Sequence, residues 1–221
     1  MHPTALPIQR TDSRRLDMRP PATYRIPKRI FDITVSSAAL VIFAIPLAVI
    51  ALLIKVGDLS APVLFRQKRS GAGGRRFNLY KFRTMVKNAD ELKEQLRSLS
   101  VVAWPDFRLY EDPRVTPIGR FLRKTSLDEL PQLINVLRGD MSLVGPRPTT
   151  FDVETYDLWH TGRLDFRPGI TGPWQVLGRD SMDFDERCRL EISFFRHPSF
   201  WAELKLLLAT IPIVFRRTGA A

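Results

Sequence analysis

The sequence predicts a helix-rich α+β chain that is attached to a membrane as a monotopic unit. Three observations predict it. Ile33 to Ile54 run for 22 residues without a charge, about the length a helix needs to cross a bilayer core. Both flanks of that run are basic. Beyond it, stretches with helical spacing outnumber short strands, and no βαβ rhythm appears.

The elements follow in order. Residues 1–22 form a polar arm with Pro3, Pro7, Pro20 and Pro21, which predicts a disordered basic segment. Residues 23–57 hold the apolar run. Pro46 sits near its middle, where it removes a backbone donor and forces a bend. Arg10, Arg14, Arg15, Arg19, Arg25, Lys28 and Arg29 precede the run, and Lys55, Arg66, Lys68 and Arg69 follow it. Basic residues mark the cytoplasmic side, so two basic flanks conflict with a single crossing. A re-entrant hairpin bent at Pro46, with Ser36 and Ser37 serving the broken backbone groups, resolves the conflict. A kinked single crossing is the alternative.

Residues 58–221 are expected to make a second, water-exposed domain. Ala61–Phe65 and Arg75–Phe82 read as strands joined by a turn at Gly71-Ala72-Gly73-Gly74. The turn lacks the Lys-Ser/Thr of a phosphate loop. Met85–Leu99 has helical spacing, Trp104–Pro113 is loop-like, and Ile118–Lys124 is a short basic helix. Ser126–Leu137 reads as a helix ended by Gly139, and Asp183–Phe195 as another. The last segment, Phe200 through Arg217, is leucine-rich with Trp201 and a basic end. It fits an interfacial helix or a helix packed on the core.

Composition narrows the chemistry. The formal net charge is +11, which calls for a polyanionic partner: an anionic phospholipid surface, phosphorylated substrates or nucleic acid. Aromatic residues are not interleaved with the basic ones as nucleic-acid stacking requires, so no nucleic-acid partner is expected. The single cysteine excludes an internal disulfide, and the three scattered histidines offer no zinc site.

Asp128 and Glu129 stand at the start of a helical stretch. Ser126 with Glu129 has the spacing of a capping box, which would explain the acids by helix stability alone. Their surroundings suggest more. Arg114, Arg120, Arg123, Lys124, Arg138 and Arg147 lie nearby in sequence, and Pro146 and Pro148 fix the backbone of Arg147. Acids among fixed guanidinium groups suit phosphoryl transfer. One carboxylate can attack as a nucleophile while the other holds Mg²⁺, a metal that takes oxygen ligands and phosphates.

The ordered motifs Lys28-Arg29-Ile30-Phe31-Asp32, Tyr80-Lys81-Phe82-Arg83-Thr84-Met85, Ser126 through Pro148, Arg167-Pro168-Gly169-Ile170-Thr171-Gly172 and Gln175-Val176-Leu177-Gly178-Arg179 resemble the bacterial sugar transferase family, the monotopic polyprenol-phosphate phosphoglycosyl transferases. The resemblance covers about residues 28–217. It implies a minimal catalytic unit at the cytoplasmic face of the bacterial inner membrane, with amphipathic helices beside the re-entrant one. It implies that Asp128 attacks the β-phosphate of a UDP-sugar, releases UMP and passes the phosphosugar to polyprenol phosphate, usually undecaprenyl phosphate. Glu129 would place Mg²⁺ with Asp128, and Lys81, Arg83, Arg123, Arg147 and Arg167 would bind phosphate or substrate. Such a reaction starts exopolysaccharide or glycoconjugate assembly. The sugar and a homodimeric state are left open. Two departures stand out: Ile45-Pro46 where relatives have Ser-Pro, and Gly172-Pro173-Trp174-Gln175 where many read Gly-Trp-x-Gln.

Overall fold

The computed structural model describes residues 19–99, 109, 111–150, 152–177 and 182–216. Most of the arm at 1–22, most of the loop at 104–113, Gly178, Arg179 and Arg217 lie outside these residues.

The apolar run forms two helices, α1 (Ala22–Ile42) and α2 (Ala44–Gly57), bent by 63° at their junction. The break falls at Phe43, not at Pro46. Pro46 occupies the first turn of α2, where a missing N–H costs nothing. Its ring clashes with the carbonyl four residues earlier, that of Ile42, where α1 ends. Proline therefore sets the bend but displaces it one turn upstream. Ser36 does not serve the break: it is buried two turns before it, and its Oγ has no hydrogen-bond partner.

The outer faces of this pair are apolar and bare. Val41, Ile42, Ile45, Leu52 and Val56 are all more than 60% exposed. The inner faces pack. Phe31, Val35, Ala39 and Leu40 of α1 lie on the main core, while Ile50 and Ile54 of α2 join Phe82 and Leu122 in a second cluster. Among the described residues no single helix is long and apolar enough to cross a membrane, but the bent pair together has the length and composition of a broken span or a re-entrant loop.

After α2, strands β1 (Leu64–Ser70) and β2 (Arg76–Phe82) pair antiparallel, Leu64 opposite Phe82 and Ser70 opposite Arg76. The glycines between them turn the chain, Gly73 and Gly74 at φ of 62° and 79°. The expected helix over 85–99 shrinks to α3 (Ala89–Gln95) and one 3-10 turn. Next come α4 (Pro117–Thr125) and α5 (Gln132–Arg138), then β3 (Ser142–Val144). Strand β4 (Gly169–Thr171) pairs parallel with β3. Helices α6 (Pro173–Leu177), α7 (Phe184–Phe195) and α8 (Phe200–Arg216) complete the chain.

The core gathers Leu133, Val136, Met141, Leu143, Phe166, Phe195 and Leu206. Helix α8 packs one face on the core, as one of the two expectations for this segment had it. Leu206 faces the core, whereas Trp201, Leu208 and Ile211 are exposed on the other side.

Candidate active site

The stretch expected as one helix from Ser126 is broken. Ser126 is the C-cap of α4 and adopts a left-handed φ of 56°, the sole non-glycine with positive φ among the described residues. Leu127–Glu129 then form a single 3-10 turn, and α5 starts only at Gln132. No side chain caps this turn. The capping-box explanation of the two acids therefore fails. A serine held in a conformation L-residues avoid is strain of the sort stored at functional sites, and here it turns Asp128 and Glu129 into a cavity.

That cavity, about 620 Å³, has a charged wall with Lys81, Arg83, Arg123, Asp128, Glu129 and Arg147. Its lining also includes the aliphatic side chains of Leu130, Leu143, Ile170, Leu207 and Ile213. The last two come from α8, the helix that also carries exposed Trp201 and Leu208.

Three packing details place the charged groups. Asn135 of α5 accepts from Tyr80 N at 3.0 Å and donates to Asn78 O at 2.7 Å. Its amide thus pairs with β2 as another strand would, setting α5 and the preceding turn against Lys81. Gly119 lets α4 lie directly on the backbone at Thr84: a Cβ there would sit 2.0 Å from the Thr84 carbonyl oxygen. One turn later Arg123 Nε reaches Thr84 Oγ1 at 3.0 Å. Arg147 follows β3, and its guanidinium lies over Trp174, 5.5 Å from the ring centroid.

The two carboxylates differ. Lys81 Nζ bonds Glu129 Oε1 at 2.6 Å, and Arg147 Nη2 lies 3.6 Å from the same oxygen. Burial alone would raise the pKa of Glu129, but Lys81 and Arg147 together bring it down to about 2. Asp128 is only 8% exposed and has a looser contact to Lys81, 3.9 Å from Oδ2. Burial pushes its carboxyl up, Glu129 adds to this, and Lys81 and Arg123 counter it in part. Glu129 is thus a fixed anion locked to two cations, while Asp128 keeps a carboxylate that is little shared.

Not every expected residue arrives. Arg83 lines the cavity, with Nε on Pro62 O at 2.8 Å and the guanidinium 5.9 Å from the Phe65 ring centroid. Arg167 does not. It lines a separate cavity of about 490 Å³ with Arg25 and Arg29, near enough to Arg29 to lower that residue's pKa, second to burial. Its main chain runs beside Gly145. Of the nearby cations, Arg114 is buried in a two-pronged pair with Asp112 at 2.9 and 2.6 Å. Arg138 lies over Tyr80. Arg120 and Lys124 are exposed. Only Arg123 and Arg147 from that group line the cavity.

Thr84, Asn135, Arg163 and Glu191 escape sequence reasoning. Thr84 lies inside the Tyr80–Met85 motif and Asn135 inside the Ser126–Pro148 one, but no local pattern marks Arg163 or Glu191 as partners of the site.

Among the described residues no three His, Cys, Asp or Glu side chains converge as metal ligands. Asp128 and Glu129 nonetheless approach one cation position, that of the Lys81 ammonium. Mg²⁺ commonly takes one or two carboxylates plus substrate phosphates, and this donor set fits that mode.

Residues 23–217 match the family model described as bacterial sugar transferase. The chain is 44% identical over 200 residues to the galactosyl transferase CpsE of Streptococcus agalactiae, covering 90% of this chain and 44% of that protein. It is 45% identical over 201 residues to the undecaprenyl-phosphate galactose phosphotransferase of Salmonella typhimurium, covering 89% and 42%. It is 39% identical over 198 residues to the exopolysaccharide production protein ExoY of Rhizobium meliloti, covering 87% of each. The chain thus spans under half the length of the first two relatives and most of the third. With a match running from α1 through α8 and enclosing the whole cavity, the chain belongs to the bacterial sugar transferase family.

Proposed function

We propose that this chain transfers a phosphosugar from a UDP-sugar to polyprenol phosphate, with undecaprenyl phosphate as the acceptor, at the surface of the bacterial inner membrane. The observation that carries the reading is the division of labour between the adjacent acids. Glu129 is engaged by Lys81 and Arg147, and Asp128 is buried and little shared in a cavity lined by both cations and aliphatic side chains.

In the first step a carboxylate oxygen of Asp128 bonds to the β-phosphorus of the donor. The bond from that phosphorus to the bridging oxygen breaks, and UMP leaves with the electron pair. In the second step a phosphate oxygen of the acceptor bonds to the same phosphorus and Asp128 departs, giving polyprenyl-diphospho-sugar. Lys81, Arg123 and Arg147 neutralise charge on the phosphoryl oxygens, and Arg83 extends the positive wall. Asp128 and Glu129 would hold Mg²⁺, which when bound supplies further charge neutralisation on the phosphates. Arg167, facing the second cavity, has no part in these steps.

The apolar faces of α1, α2 and α8 support membrane attachment, with the bent pair re-entering the cytoplasmic leaflet. Returning to the face it entered keeps both basic flanks beside anionic headgroups. The aliphatic side chains in the cavity lining would contact the acceptor's lipid chain near its phosphate.

The test is UMP release from a panel of UDP-sugars by the chain in membranes with undecaprenyl phosphate, starting with UDP-galactose and UDP-glucose, the sugars in the names of relatives. Labelled donor should leave a phosphosugar on the wild-type chain and none on Asp128→Asn. Silence across the panel, or full activity in that variant, overturns the reading.

A further inference from the structure

Arg147 lies in a segment whose neighbours are tied to rigid structure. Gly145 N donates to Thr171 O at 3.0 Å, Pro146 O accepts from Gly169 N at 2.9 Å, and Pro148 O accepts from Arg69 Nη1 at 3.1 Å. Pro146 and Pro148 have no N–H. The one main-chain donor at positions 146–148 is therefore that of Arg147, and it goes to a side chain far away in sequence.

Glu191 Oε1, from α7, accepts it at 2.8 Å. Arg163 Nη2 donates to the carbonyl oxygen of Arg147 at 2.6 Å. The same Nη2 lies 2.5 Å from Glu191 Oε2. One ion pair thus takes both main-chain polar groups of a single residue. The pair is sealed, with side chains 5% and 1% exposed. Buried ion pairs add little net stability over apolar packing of the same shape. This one is aimed at the peptide of the residue whose guanidinium reaches Glu129.

We propose that Arg163 and Glu191 are positioning residues for the transfer reaction, clamping the Arg147 peptide so that its guanidinium meets the donor phosphates at one fixed point. The inference rests on the transfer reading above. Small displacements of a charge-stabilising group cost rate steeply, about 100-fold for an ångström.

The experiment is a mutant cycle on kcat/KM for UMP release, using the full chain in membranes. Arg163→Met and Glu191→Met are introduced together, which avoids orphaning a buried charge. The double variant is expected to lose about 100-fold. Adding Arg147→Ala to it should then cost less than about twofold, because the guanidinium is already misplaced. Arg163→Lys, which keeps a donor and a charge, should recover part of the loss.

A purely structural pair predicts otherwise. Arg147→Ala would then lower kcat/KM by the same factor in both backgrounds, and that result, or a double variant as active as wild type, overturns the inference. Should the double variant not fold, the cycle is run with Arg163→Met alone, which removes the donor to the Arg147 carbonyl, and additivity there overturns the inference equally. A wild-type chain that releases no UMP sinks the transfer reading and this inference with it. An active wild type with additive losses sinks only the clamp.

Discussion

Two clusters in this molecule use the same ingredients, a lysine between two acids, and differ in what surrounds them. In the first, Lys28 lies 2.6 Å from Asp32 Oδ1 and 3.2 Å from Glu203 Oε2. Tyr24 donates to the other oxygen of Glu203, and Asp32 accepts from Leu143 N. Lys28, Asp32 and Glu203 are all buried, and their bonds tie α1 to α8 and β3. In the second, Lys81 stands between Asp128 and Glu129, but the acids face a cavity and Asp128 is left little shared. The first cluster also borders a cavity, the one of about 490 Å³, but its lysine holds both acids closely, and it is an anchor that seats the bent helix pair on the domain. With one acid held only loosely, the second is a site. Burial with close charge pairing gives structure, and burial with one loosely held carboxylate gives chemistry.

The sharpest way to break this comparison is Asp128→Asn. Activity should fall at least about 1,000-fold, as for loss of a nucleophile. The fold should not weaken, because burial already disfavours the charged form of this carboxyl. Thermal unfolding in detergent, run beside the UMP assay, checks both halves. The anchor should behave in the opposite sense. Lys28→Met strands Asp32 and Glu203 as buried, unpaired acids, which costs about 3–5 kcal/mol. The unfolding midpoint should drop sharply, while folded molecules retain kcat within a few-fold of wild type. A Lys28→Met chain that stays stable but loses kcat would erase the distinction.

Acid titration sharpens it further. Glu129 has a folded pKa of about 2 against an ordinary 4.5. Its stabilisation is therefore complete above 4.5 and is lost as pH falls toward 2. The shift corresponds to roughly 3 kcal/mol. Asp128 works with the opposite sign: its raised pKa penalises the charged form, so protonation on acidification offsets part of that loss. Urea midpoints between pH 6 and 3 should fall for wild type and flatten for Glu129→Gln. A slope unchanged by the substitution would remove the locked-anion role. The activity of wild type should decline on the acid side at a pH above that of an ordinary aspartate, because the attacking form is the carboxylate.

Much of this is legible in the amino-acid sequence. The proline predicts a bend in the apolar run, which the structure has one turn upstream. The glycine run predicts the β1–β2 turn, and Gly139 predicts the end of α5. Asp128, Glu129, Arg123 and Arg147 can be nominated because acids and guanidiniums crowd one stretch. What fails has physical causes. Ser-x-x-Glu spacing is the same whether serine caps a helix or reverses the chain, so Ser126 reads as a cap. Glu129 and Lys81 lie 48 residues apart, and Arg147 and Glu191 lie 44 apart. Such pairings arise from how α5 and α7 pack, and no local pattern carries them.

Arg167 gives the mildest test. It stands in a motif shared with the site residues, beside a strand that borders the cavity, yet its side chain lines the second cavity with Arg25 and Arg29. If proximity in sequence governed function here, Arg167→Ala would cost as much as loss of a phosphate contact, tenfold or more at about 1.4 kcal/mol per decade. The geometry predicts less than about a twofold change in kcat/KM, with stability within about 0.5 kcal/mol, as for an exposed surface position. A loss approaching that of Arg123→Ala would mean that the guanidinium swings to the acids when the donor binds, and the separation between the two cavities would not hold in the working enzyme.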